Sequence, residues 1–95
     1  LYEEIVFLAK KSGLSGATAM RGIMGFGAHS IVHKSKILEL SNDLPIIIEV
    51  VDSDEKIRKF ISDVEDLFDK SKNGGLITIE EVEVIFYKPG NKREI

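Results

Sequence analysis

The chain has 95 residues, with 13 Lys and Arg against 16 Asp and Glu, no Cys, and 43% apolar side chains. That is one domain, 1–95, small enough that a solitary copy buries only about 60–65% of its unfolded surface. The composition excludes a disulfide scaffold, a thiolate zinc site and a cysteine nucleophile, and it is too apolar for a disordered chain. The net charge of −3 argues against nucleic acid as the partner. No apolar run approaches the roughly 20 residues of a membrane span, and nothing reads as a signal peptide. The expectation is a soluble cytoplasmic domain with no direct membrane insertion.

The chain opens on helical spacing: Leu1, Ile5, Leu8 and Ser12 share a stripe flanked by Ala9. Glu3 and Glu4 stand near its start and Lys10 and Lys11 near its end, as the helix dipole prefers. Gly13 follows as a stop. A helix with no lead-in predicts that the natural chain begins earlier than Leu1. After the loop Gly13–Gly16, an extended strand is predicted from Ala17 to Ile23, and Gly25-Phe26-Gly27 marks a bend out of it. The bend is either a bulge carrying a core phenylalanine or a ligand contact.

Residues 28–43 are polar and mixed, and a connection this long is usually functional or mobile. Ile31-Val32 and Ile37–Leu40 extend the flanking strands in this reading, with the tip near His33–Lys36. Leu44–Val51 is the clearest strand, β-branched and apolar along its length, so both its faces should be covered. Asp52 is predicted to cap a helix, with Glu55 three residues on. Ile57, Phe60, Ile61, Val64, Leu67 and Phe68 trace its buried face. Glu55–Lys59 and Asp66–Lys70 are expected i, i+4 ion pairs on it. Asn73-Gly74-Gly75 ends that helix and opens a turn. Leu76–Tyr87 reads as a last strand, Pro89-Gly90 stops it, and residues 89–95 form a tail.

Helix, strand, strand, helix, strand, completed by one strand before residue 1, is βαββαβ, an α+β ferredoxin-like fold with an antiparallel sheet and two helices on one face. The first strand of that topology is missing from this sequence. Its slot lies between the last strand and Leu44–Val51, and unpaired backbone there is costly. Apolar residues on both faces of Leu44–Val51 predict self-association through the open face.

Several side chains invite a chemical reading. His29 and His33 are four apart, but no third ligand clusters with them, so no metal site is assigned. Arg21 either pairs with Glu49 across the sheet or contacts an anionic ligand. Lys34 and Lys36 are a solvated tip or a partner contact, too few for nucleic acid. No Ser, His and Asp spacing singles out a catalytic nucleophile.

In their order and spacing, Gly13-Leu14-Ser15-Gly16-Ala17-Thr18, Met24-Gly25-Phe26-Gly27 and Asn73-Gly74-Gly75 resemble the PII signal-transduction proteins. Arg21–Gly27, His33, Leu40–Pro45 and Glu49–Asp52 are similar, more closely, to a PII-like branch, the domain of unknown function DUF190. The resemblance runs from Leu1 to about Tyr87. It implies a homo-trimer with sheets facing its axis, clefts between subunits that hold a small ligand such as ATP, ADP or AMP, and a T-loop-like segment, 28–43, that contacts a target protein such as a membrane transporter or channel. On that basis the ligand-binding candidates are Arg21, Gly25, Phe26, Gly27, His33, Asn73, Gly74, Gly75 and Lys88. Glycine-rich loops suit phosphate because bare backbone N–H groups can converge on it.

The chain departs from the PII pattern in its cations. Gly75-Leu76-Ile77 lacks the lysine that follows those glycines, and Phe86 and Lys88 stand where two basic residues are expected. The T-loop tyrosine is also absent. Two readings from other classes stand beside this one: a small ferredoxin-like enzyme with a His and carboxylates in a subunit cleft, and a metal-binding trimer resembling the divalent-cation tolerance proteins.

Overall fold

The structure, a computed structural model, describes residues 1–26, 33–34 and 44–91. Most of the 28–43 segment, with the expected strand extensions at 31–32 and 37–40, lies outside the described residues, as do Gly27, His29, Lys36 and residues 92–95. In chain order the elements are α1 (Tyr2–Lys11), β1 (Thr18–Arg21), β2 (Met24–Gly25), β3 (His33–Lys34), β4 (Ile46–Glu49) and α2 (Asp54–Lys70). The fold is α+β, two helices with small antiparallel sheets, compatible with the ferredoxin-like arrangement.

Helix α1 forms and stops as its residues dictate. Glu3 and Glu4 occupy the first turn and Lys10 and Lys11 the last. Gly13 has φ +79°, a conformation other residues resist. The Gly13 N–H donates to Lys10 O and the Leu14 N–H to Ala9 O, at 3.2 and 3.1 Å. That is the paired-bond helix stop known as the Schellman motif, and Leu14 packs back on the core cluster that contains Ala9.

Strands β1 and β4 pair antiparallel with Thr18 opposite Glu49, Ala19 opposite Ile48, Met20 opposite Ile47 and Arg21 opposite Ile46. Ile48 and Val50 pack toward the helices. Alternation then sends Met20, Ile47, Glu49 and Val51 to the opposite face. Helix α1 lies against β1, β4 and α2. Ile5, Ala9, Phe60 and Val64 form the buried cluster, with Ala17, Ile48, Val50, Leu67 and Phe68 around it.

Three local expectations shift. The predicted strand from Ala17 to Ile23 is hydrogen-bonded only over Thr18–Arg21. The cap of α2 is Ser53, not Asp52: the Ser53 Oγ accepts from the Lys56 N–H at 3.5 Å. The Asp52 carboxylate is already engaged, with Oδ1 accepting the Ser53 N–H at 2.7 Å and Oδ2 accepting the Ser15 N–H at 2.9 Å and its hydroxyl at 3.1 Å. The ion pair found on α2 among the described residues is Asp54–Arg58, at 3.0 Å, rather than the expected Glu55–Lys59 and Asp66–Lys70.

Two larger expectations also change. Helix α2 ends at Lys70, before Asn73; Ser71 makes the exit, its Oγ donating to Phe68 O at 3.2 Å and accepting the Asn73 N–H at 3.2 Å. Residues 76–87 form no strand ladder, and no backbone hydrogen bond joins them to another described residue. Their side chains are exposed, Phe86 at 79%. The sequence has a strand's alternation, but a strand is completed only by a partner.

Candidate functional site

The candidate residues fall into two groups. The first gathers where β1 ends and β2 begins. Pro45 lies against this corner, and the Gly22 N–H donates to Pro45 O at 2.8 Å. A Cβ on Gly22 would sit 2.8 Å from Pro45 Cγ, and one on Gly25 3.1 Å from it. Gly22 therefore leaves no room for a side chain beside the proline ring, and Gly25 only tight room. Beyond Pro45, β2 pairs with β3, Met24 opposite Lys34 and Gly25 opposite His33. His33 and Lys34 are thus not a loop tip but a strand returned to the exit of β1–β2. Arg21, Gly25, Phe26 and the backbone of His33 share this corner. Phe26 is 71% exposed, which removes the core-phenylalanine reading of the Gly25-Phe26-Gly27 bend.

The expected pairing of Arg21 with Glu49 does not form. Arg21 faces Ile46 and Glu49 faces Thr18, at opposite ends of the strand pair. Three positions of separation also put them on opposite faces of the sheet. Beside Arg21, a hollow of about 160 Å³ is lined by Tyr2, Ala19, Met20, Arg21 and Ile46.

The second group follows α2. Asn73 and Gly75 line an open groove of about 450 Å³ with Glu65, Phe68, Asp69 and Ile77. A Cβ on Gly75 would collide with the Phe68 ring, whereas one on Gly74 would meet nothing within 4 Å. Gly75 is thus explained by packing, and Gly74 has no packing reason within one chain. The groove is lined by two carboxylates and no Lys or Arg, so taken alone it repels a phosphate. Lys88 is exposed further along the chain. Neither hollow is lined by residues of both groups.

The roles of two positioning residues were missed by sequence reasoning. Asp52 ties the turn after α1 to the start of α2 through Ser15, 37 residues away. The Ser53 and Ser15 backbone N–H groups hold its carboxyl below the usual range. The only sequence signal was a second cap-forming residue next to it. Pro45 holds the other corner; its signal was a proline at a strand start with glycines upstream. Among the described residues no group of three or more His, Asp or Glu comes together as a metal site. No helix there is long and apolar enough to cross a membrane.

The α+β fold, compatible with a ferredoxin-like arrangement, is the one the sequence motifs pointed to. The model of the DUF190 family, described as Uncharacterized ACR, COG1993, matches residues 1–84, and the chain belongs to that family. It is 40% identical over 85 residues to a UPF0166 protein of Aquifex aeolicus (strain VF5), covering 90% of this chain and 76% of the relative. It is 38% identical over 84 residues to a UPF0166 protein of Methanocaldococcus jannaschii, covering 88% and 74%. A second Aquifex UPF0166 protein is 39% identical over 74 residues, covering 78% of this chain and 73% of its own. No solved structure matches the chain significantly.

Proposed function

We propose that this chain is one subunit of a trimeric, PII-like cytoplasmic regulator. It senses a small ligand, an adenine nucleotide such as ATP, ADP or AMP, in clefts between copies. It signals through the 28–43 segment to a target protein. One observation carries the reading: the sheet face turned away from the helices leaves large apolar side chains uncovered beside Thr18 and Glu49. Ile47 is 57% exposed, Val51 47% and Met20 45%, and Met20 and Ile47 are cross-strand partners. Covering such a face with copies of itself is the economical solution for a domain this small.

Assembly also answers the missing cations. The Asn73–Gly75 groove has carboxylates of its own, so a phosphate cradle there needs positive charge from a neighbour. Arg21 and Lys88 are the candidates. Gly25, Phe26, Gly27 and His33 of one copy would then face Asn73, Gly74 and Gly75 of the next, with the base of the ligand against Phe26. Ligand binding acts through the 28–43 segment, which engages or releases the target.

Sedimentation at micromolar concentration tests the assembly, with a trimer expected; a stable solitary subunit overturns it. Calorimetric titration of the full-length protein with ATP, ADP and AMP tests the ligand. Heat from at least one of them is expected, reduced by Arg21→Ala. Silence across the panel removes the nucleotide and leaves the trimer standing.

A further inference from the structure

We draw no further inference here: the strongest candidate, the exposed segment 76–87, which pairs with no other described residue, as an acceptor for a strand lying beside β4, carries nothing because completing that sheet restates the ferredoxin-like fold already expected and nothing in the structure shows what covers the segment.

Discussion

Helix α2 and the segment 76–87 are the two most strongly patterned stretches of this chain, and they end differently. Apolar residues recur along α2 at i, i+3 and i+4, and Phe60 and Val64 are buried. Along 76–87 apolar and β-branched residues alternate with Thr and Glu, yet none of the backbone pairs with another described residue and Val82, Val84 and Phe86 are exposed. The difference lies in where the hydrogen bonds come from. A helix satisfies its backbone from residues four positions away, so a 17-residue segment with one apolar face needs only a surface to lie on. A strand draws every ladder bond from another strand. Its pattern states a readiness to pair, and the partner decides whether a sheet exists.

Hydrogen exchange on the lone chain gives the largest contrast. Amides inside α2 are expected to exchange roughly 100-fold or more slowly than their intrinsic rates, and those of 76–87 close to intrinsic rates. Protection across 76–87 would mean that a partner strand is present in solution, and the contrast would vanish.

Mutation sharpens the same comparison. Phe60→Ala empties a buried position and is expected to cost about 3–4 kcal/mol in urea unfolding. Phe86→Ala removes the same ring from an exposed position and should stay within about 0.5 kcal/mol. Equal costs would show that 76–87 is packed after all.

A smaller effect separates the two glycine-bearing corners. Gly22→Ala drives a Cβ against the rigid Pro45 ring and is expected to cost about 1–3 kcal/mol. Gly74→Ala meets nothing and should leave thermal stability unchanged, so a loss there would assign Gly74 a contact beyond the single chain.

The smallest effect is on pH. The Asp52 carboxyl is held below its usual value in the folded chain. Its contribution is therefore fully present above the unfolded-state value, about 3.9, and is lost as pH falls through the lower folded value. Unfolding midpoints measured from pH 5 down to pH 2 should fall less steeply for Asp52→Asn than for the parent. Parallel curves would mean that the Ser15 and Ser53 bonds contribute nothing to the folded state.

What could be read from the sequence follows the same division. Helix α1 with its Gly13 stop and the buried face of α2 were both legible, because their determinants lie within a turn or two. The cap of α2 was misplaced by one residue because Asp52 and Ser53 are both good caps. Asp52 is diverted by Ser15, and a window around residue 52 does not contain Ser15. Gly25 suggested ligand contact; its neighbour in space, like that of Gly22, is Pro45, 20 or more positions on. Arg21 and Glu49 looked like partners until the β1–β4 register placed them apart. Of the candidate site, its two halves were legible as segments, but which halves meet depends on contacts between distant residues or between copies.

The short β2–β3 pairing limits how far the intervening chain can stretch. It ties His33 and Lys34 back to Gly25 and Met24, dividing the tether into seven residues, 26–32, and eleven, 35–45. At the 3.3–3.6 Å that each extended residue spans, stretches of these lengths anchored at both ends reach out no more than about 14 and about 22 Å. Any partner of the segment, on the function proposed above, would thus meet His33 and Lys34 held beside the corner where Pro45 sits, not at the end of a sixteen-residue arm.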